Sequence, residues 1–195
     1  MARIPPLTAD DMAARGIDLS FIGDDFHELP NSVPTLAWRP DILKASGALW
    51  AAIMLSGTVD PGLKWMAGYM ASMAAGCRYC SAHTGTATAG NGVPAEKLAA
   101  IWDFERSPLF SDAERAVLRV AIGAGQVPNA VSDDDFAELA RHFSREQQVE
   151  IVSVIALYGF FNRWNDTVGT TLETSPRLFA EKHLTPHGWE IGKHG

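Results

Sequence analysis

The chain has 195 residues, of which 47% are hydrophobic and 20% are charged, and this is enough apolar material for one domain with a buried core. The high hydrophobic fraction excludes intrinsic disorder, and the 17 Gly and 11 Pro are scattered too widely for a low-complexity chain. The net charge of −7 repels nucleic acid and anionic lipid, so we expect neither a nucleic-acid partner nor a membrane partner.

The apolar runs and the first residues of the chain bear on its location. Neither residues 48–55 nor residues 151–161 reach the roughly 20 residues that a membrane-spanning helix needs. Met1 is followed by one basic residue and no apolar stretch, so no signal peptide is visible. We therefore predict a cytoplasmic protein, in which thiols stay reduced.

The N-terminal segment and the rest of the chain are predicted to differ in organisation. Residues 1–33 are predicted to form an arm, because prolines and glycines interrupt each short helix that this segment allows. Residues 34–195 are predicted to form a single helical domain. Its first helix covers about residues 39–55, with Pro40 near its start and Gly57 after its end.

Two predicted helices flank the point at which the cysteines begin. Asp60 and Pro61 are typical of an N-cap and a first helical position. A stripe of methionines follows on one helical face, which indicates core packing more strongly than a pocket for an apolar hydroperoxide: Met66, Met70 and Met73. Gly76 interrupts this helix, and the next is predicted from Cys77 to about Ala89.

The second half of the chain carries helix-start signals at residues 111, 132 and 144. The last of these opens the longest predicted helix, which is expected to reach about Glu173. Its middle, residues 151–161, is apolar nearly all round and is therefore expected in the domain centre or in a subunit interface. No segment alternates with a period of two residues, so the predicted fold is all-α with about eight helices.

The candidate chemistry lies at residues 77–83. Cys77 and Cys80, the two cysteines of the chain, form one CxxC motif, and His83 follows three residues later. Residues three apart are neighbours on a helix, so Cys77 can meet Cys80 and Cys80 can meet His83. We expect a protonated His83, the positive end of the helix near Gly76 and the cation of Arg78 to lower the thiol pKa.

A thiolate in such a pair supports a redox cycle. A hydroperoxide oxidises the thiolate to a sulfenic acid, and the second cysteine then closes a disulfide with loss of water. A dithiol protein or a small thiol must reopen that disulfide by exchange. The expected partners are therefore a hydroperoxide substrate and a thiol reductant.

Other sites compatible with a CxxC motif fit less well. A structural zinc site needs four ligands and only three candidates cluster here, so we expect no metal. A c-type haem needs a histidine directly after the second cysteine, where Ser81 stands, and no other cofactor is indicated. Two inert, buried cysteines remain an alternative.

Residues 74–84, Ala-Ala-Gly-Cys-Arg-Tyr-Cys-Ser-Ala-His-Thr, resemble the signature of the carboxymuconolactone decarboxylase/alkylhydroperoxidase D (AhpD-like) superfamily, and most closely its peroxidase-related branch. The likeness extends through residues 110–118 and 159–167. It implies an AhpD-like all-helical fold, a homo-oligomer (dimer, trimer or hexamer) and peroxide reduction by the dithiol. It also implies that Cys80 attacks the peroxide and that Cys77 resolves the intermediate.

Two positions depart from the best-studied members that this sequence resembles. Their histidine stands four residues after the second cysteine, where this chain has Thr84. Their relay glutamate stands twelve residues before the first cysteine, where this chain has Trp65. The relay carboxylate is therefore unassigned. Glu114 is a candidate, although a capping box with Ser111 explains it without catalysis.

Several interpretations stay open at this point. The protein is alternatively a redox-sensing oligomer without turnover, or a small-molecule enzyme like the decarboxylase members that work without a CxxC. A polar patch in the long helix either lines the thiol pocket or, as we favour, bonds helix ends and subunit neighbours: Asn162, Arg163, Asn165 and Asp166. The remaining histidines are expected at the surface: His27, His142, His183, His187 and His194.

Overall fold

The computed structural model describes residues 2–20 and 28–195, and the prediction for His27 lies outside these ranges. Within them the chain forms helices and loops and no strand, which confirms the predicted all-α fold. Ten α-helices occur in the described ranges: α1 (Ala9–Ala14), α2 (Ser32–Leu36), α3 (Pro40–Met54), α4 (Pro61–Ala74), α5 (Arg78–Gly90), α6 (Ala95–Ala99), α7 (Asp112–Gly125), α8 (Asp133–His142), α9 (Arg145–Val168) and α10 (Thr174–His183). Short 3₁₀ turns are added at Ile101–Asp103, Thr185–His187 and Gly192–His194.

Helix α4 lies at the centre of the domain, in contact with α5, α7 and α9. Two glycines allow α4 to approach its neighbours closely. A Cβ on Gly68 would lie 2.5 Å from the Tyr158 ring of α9, and a Cβ on Gly125 of α7 would lie 2.7 Å from the carbonyl oxygen of Ala71. The methionine stripe of α4 packs into this core, as predicted. The packing holds α5 and α9, which carry the candidate site, against α4 and against each other.

The segment predicted as an arm contains packed structure. Helix α1 begins with a capping box between Thr8 and Asp11. A second hydrophobic cluster joins this segment to α2 and α3: Leu7, Met12, Leu36, Ala37 and Leu43. The short helices α1 and α2 raise the number above the predicted eight. Because α2 runs across residue 33, the division into arm and domain stays a prediction.

Helix α9 is shorter than predicted. It begins with the predicted capping box of Ser144 and Gln147 and ends at Gly169, whose φ of +67° is the left-handed conformation that closes a helix. The chain then turns, so that Glu173 becomes the N-cap residue of α10. No helix in the described ranges is both long enough and apolar enough to cross a bilayer.

The junction of α4 and α5 sets the position of the two thiols. Gly76 has a φ of +74°, which is accessible mainly to glycine and turns the chain sharply between the helices. Cys77 is consequently the N-cap of α5, and its Sγ accepts a hydrogen bond from the backbone N–H of Cys80 over 3.3 Å. One turn of helix therefore brings the CxxC cysteines together, as the spacing predicts.

Candidate active site

The two cysteines are free thiols, and both are buried. Their surroundings nevertheless differ. Cys80 lines a cavity of about 560 Å³, whose walls do not include Cys77. The Sγ of Cys77 instead lies with side-chain atoms of Asp166 and His194, all within 4.8 Å of one another. Cys80, and not Cys77, is therefore the sulfur at the cavity wall.

An amide from α9 orients the Cys80 thiol. Nδ2 of Asn165 donates a weak hydrogen bond to Cys80 Sγ over 3.5 Å, and Oδ1 of Asn165 accepts one from the hydroxyl of Thr170 at 2.8 Å. The second bond fixes which end of the amide faces the sulfur. Asn165 thus lines the thiol pocket, whereas we favoured a purely structural role for the polar patch. Arg163 of the same patch is exposed.

Burial dominates the acidity of Cys80. Burial, followed by the hydrogen bond to the Cys77 thiol, raises the pKa of Cys80 well above its ordinary value, although the bond from Asn165 acts in the opposite direction. The predicted lowering of this pKa is therefore wrong. No hydrogen bond joins Cys80 to His83 in the described ranges, and Arg78 donates to the carbonyl of Gly188 rather than to a thiol.

His83 lies on the cavity wall and pairs with a carboxylate that the sequence analysis did not identify. Its Nε2 lies 2.5 Å from Oε2 of Glu173, and the His83 side chain is 23% exposed while that of Glu173 is 2% exposed. The hydroxyl of Tyr79 donates to Oε1 of Glu173 at 2.7 Å, and the backbone N–H of Asn31 donates to the same atom. Glu173 therefore holds the imidazole in a fixed orientation beside the cavity.

The environment of Glu173 keeps it ionised. Burial alone would raise the pKa of this carboxyl, but the hydrogen bond from His83, with those from Asn31 and Tyr79, lowers it overall. The His83 ring is thus held at the cavity edge by a charged hydrogen-bond partner.

The other candidate relay positions have different surroundings. Trp65, at the position of the family's glutamate, forms part of the cavity wall. The hydroxyl of Thr84 donates to the backbone carbonyl of Cys80 at 2.7 Å, one turn back in its own helix. Glu114 forms the predicted capping box with Ser111 and an ion pair with Lys97.

Aromatic rings make up much of the cavity wall near Cys80. The centroids of Trp50 and Trp65 are 6.5 Å apart, those of Trp65 and Tyr158 are 6.2 Å apart, and Phe161 continues the row at 6.4 Å from Tyr158. Apolar side chains from α2 and α3 line the cavity as well: Val33, Leu36 and Leu43. This lining suits a small apolar molecule.

Comparison with known proteins fits this architecture. Residues 40–122 match the model of the carboxymuconolactone decarboxylase family. The structure of the debrominase Bmp8, in a cysteine-to-alanine variant with 2,3,4-tribromopyrrole, superposes with a TM-score of 0.85 at 31% identity, over 92% of this chain and 96% of Bmp8. An uncharacterized peroxidase-related protein from Ralstonia eutropha JMP134, described as an alkylhydroperoxidase AhpD core, gives a TM-score of 0.75 at 26% identity, over 91% of this chain and 95% of that one.

This chain belongs to the carboxymuconolactone decarboxylase/AhpD-like superfamily. The uncharacterized protein YnjA of Escherichia coli K12 is a further relative, 34% identical over 92 residues, and the match covers 47% of this chain and only 50% of YnjA. Membership of this superfamily and similarity to a debrominase indicate an enzyme. The predicted family is thus confirmed.

Within this AhpD-like domain, one histidine contradicts the sequence analysis. His142, His183 and His187 are exposed, as expected, but His194 is fully buried, because Leu172 donates its backbone N–H to the His194 carbonyl and ties the 3₁₀ turn at Gly192–His194 to the core. A histidine near the end of a polar tail carries no burial signal in the sequence. Only the tertiary fold places it beside Cys77.

Proposed function

We propose that this AhpD-like protein is a dithiol-dependent reductase that reduces an organic hydroperoxide and oxidises Cys77 and Cys80 to a disulfide. The observation that carries the proposal is the position of Cys80, which faces an apolar cavity while Cys77 lies directly behind it. A substrate in the cavity reaches one sulfur, and the second is in place to close the disulfide.

In the first step, Cys80 Sγ attacks the terminal peroxide oxygen, the O–O bond breaks, and the alcohol leaves with one proton. Cys80 is then a sulfenic acid. In the second step, Cys77 Sγ attacks Cys80 Sγ, the S–S bond forms and water leaves. One hydroperoxide and two thiols thus give one alcohol, one water and one disulfide. A dithiol protein or a small thiol returns the two electrons by exchange.

The His83–Glu173 pair supplies the base that this chemistry requires. Because burial raises the pKa of Cys80, the resting thiol is protonated and must lose its proton before it attacks. His83 shares the cavity with Cys80, and the ionised Glu173 stabilises the imidazolium that forms when the ring takes that proton. The same imidazolium can then protonate the departing alkoxide.

A second candidate function is thiol-driven debromination of a small aromatic molecule. It is favoured by the similarity to Bmp8 over nearly the whole chain and by the aromatic rings next to Cys80. In this reaction a C–Br bond is replaced by a C–H bond, bromide and a proton are released, and two thiols become one disulfide. It uses the same cysteines and the same cavity and differs only in the electron acceptor.

A single-turnover experiment separates these functions. Reduced protein is mixed with cumene hydroperoxide or with 2,3,4-tribromopyrrole, and free thiols, cumyl alcohol and bromide are counted. We expect two thiols lost per alcohol formed, and no reaction in Cys80→Ser. Bromide release with thiol loss from the pyrrole alone would favour debromination. If both thiols persisted with every substrate, the reductase proposal would be overturned. If the thiols were oxidised but no turnover followed under excess dithiothreitol, the result would support a redox sensor instead.

We also propose that the protein forms a homo-oligomer. Helix α9 buries one side in the core but leaves Val149, Val152 and Phe160 exposed, with Val149 67% accessible. Burial of these side chains against a second copy would remove apolar surface from water. Light scattering at micromolar concentration tests this, and a monomer mass would contradict it.

A further inference from the structure

A second cluster of reactive side chains includes Cys77 and lies outside the lining of the cavity. Cys77 comes from the start of α5, Asp166 from the last turns of α9 and His194 from the 3₁₀ turn at Gly192–His194. One side-chain atom from each lies within 4.8 Å of the others. Cys77 and His194 are buried, whereas the Asp166 side chain is 41% exposed, so the cluster has one side open to solvent.

The hydrogen bonds around His194 determine which ring nitrogen faces the cluster. Nδ1 lies 2.7 Å from the carbonyl oxygen of Thr170, which can only accept, so Nδ1 carries the proton and Nε2 carries the lone pair. Nε2 is buried and has no hydrogen-bond partner among the described residues. A buried imidazole nitrogen without a partner is costly, and this one faces Cys77 and Asp166.

The carboxylate of Asp166 completes the arrangement. Lys193 donates to Oδ2 at 2.8 Å, while Oδ1 is turned toward His194, 3.7 Å from Nε2. Two lone-pair atoms therefore face each other without a proton between them, and the sulfur of Cys77 is the third atom of the group. A cation at the centre would bind these two lone-pair atoms and the Cys77 sulfur, whose thiol proton would be released to solvent.

We propose that Cys77, Asp166 and His194 bind one Zn²⁺ ion in the reduced protein, with water on the solvent side. A thiolate, an imidazole and a carboxylate are the ligands that zinc uses, whereas magnesium and calcium prefer oxygen alone. A backbone carbonyl that accepts from the second ring nitrogen is the usual support of a metal-binding histidine, and Thr170 supplies it.

The geometry needs only a small closure to hold the ion. Zinc bonds of about 2.0–2.3 Å place tetrahedral ligand atoms about 3.3–3.8 Å apart, against separations of up to 4.8 Å here. The exposed Asp166 side chain has room to move inward.

One consequence rests on the proposed function: zinc on Cys77 would withhold the resolving sulfur and stop the cycle after the first oxidation. The disulfide would in turn exclude the metal, because it removes the thiolate. Zinc binding itself does not require turnover. A negative result in a direct binding measurement would therefore leave the reductase proposal standing, and a protein that reduces no hydroperoxide could still bind zinc.

The test is a titration of the full chain with Cd²⁺ after its thiols have been reduced with a phosphine. Binding is followed by the ultraviolet thiolate-to-cadmium charge-transfer absorption, and Zn²⁺ is then added as a competitor. We expect saturation at one ion per chain and displacement by Zn²⁺. Asp166→Asn and His194→Gln should each weaken binding by about tenfold or more. Cys80→Ser and His83→Gln are the matched controls and should retain it.

Three results would overturn the proposal: no absorption in the wild-type protein, unchanged affinity in both Asp166→Asn and His194→Gln, or loss of binding in Cys80→Ser, which would place the metal on the CxxC pair. Circular dichroism checks the fold of each variant. If His194→Gln does not fold, Asp166→Asn decides, since the substituted side chain is partly exposed and isosteric.

Discussion

Glu173 and His83 are ninety positions apart in the sequence, and their side chains meet at 2.5 Å on the edge of the cavity that Cys80 faces. The contact forms because α9 stops at Gly169 and the chain returns to α5 before α10 begins. It gives this AhpD-like protein a carboxylate–imidazole pair although Trp65 stands at the family's glutamate position. The carboxylate has thus been supplied from a different helix.

We expect Glu173→Gln to lower the rate of hydroperoxide reduction, because the amide cannot stabilise a charged imidazole. His83→Gln should lower it by about 10²–10⁴-fold, the usual contribution of a general base. The double variant should be little worse than His83→Gln alone, since Glu173 acts through the ring. Steady-state assays across pH measure this. Glu114→Gln is the control, and an equal loss in that variant would argue against a specific relay.

Part of this site could be predicted from the sequence. The CxxC spacing predicts that Cys77 and Cys80 meet, and the capping box at Ser144 predicts the start of α9. Both are local features, governed by residues three or four positions apart. The capping function of Glu114 was predicted in the same way.

The rest of the site depends on contacts that are distant in sequence. Glu173 was placed at the end of a long helix, although Gly169 before it and Pro176 after it are signals that one helix stops and another starts. The raised pKa of Cys80 follows from burial in the tertiary fold, which the helix-dipole argument does not include. The burial of His194 also depends on how the chain folds back on itself.

The pairing of Glu173 should make stability depend on pH. Its pKa is lower in the folded protein than the ordinary 4.5, so its contribution is fully present above that value and is lost as pH falls below it toward the folded pKa. Urea unfolding between neutral and acidic pH measures the effect. Glu173→Gln should be less stable at neutral pH but should lose less stability on acidification. Parallel curves for both proteins would contradict this.

The raised pKa of Cys80 predicts slow alkylation at neutral pH. The rate at Cys80 should still be rising above pH 9.0, the ordinary thiol pKa, because burial disfavours the thiolate. Trypsin cleaves after Arg78, so Cys77 and Cys80 fall in separate peptides and mass spectrometry can follow each. Asn165→Leu removes a donor to the sulfur and should shift the Cys80 profile to still higher pH. A profile with its midpoint below that of a free thiol would refute this prediction.

Close packing of α7 on α4 predicts a large effect from one added methyl group. A Cβ at Gly125 would lie 2.7 Å from the Ala71 carbonyl oxygen, so Gly125→Ala should destabilise the fold by about 1–3 kcal/mol. At Gly90 the described part of the chain brings no tertiary contact within 4 Å of the added Cβ, and Gly90→Ala should be neutral or slightly stabilising. Thermal unfolding of both variants tests the pair, and equal melting temperatures would be inconsistent with the packing.

The aromatic wall predicts how substrate size controls the reaction. Trp65→Leu removes a ring from the wall of the cavity that Cys80 also lines, and it should raise KM for cumene hydroperoxide about tenfold or more, the effect of about 1–3 kcal/mol of lost apolar contact. Hydrogen peroxide is too small to use that contact, so its kinetics should change little. Trp102→Leu, at a half-exposed ring stacked on His187, is the matched control. If Trp65→Leu slowed both peroxides equally, the ring would serve the fold or the thiol rather than hold the substrate.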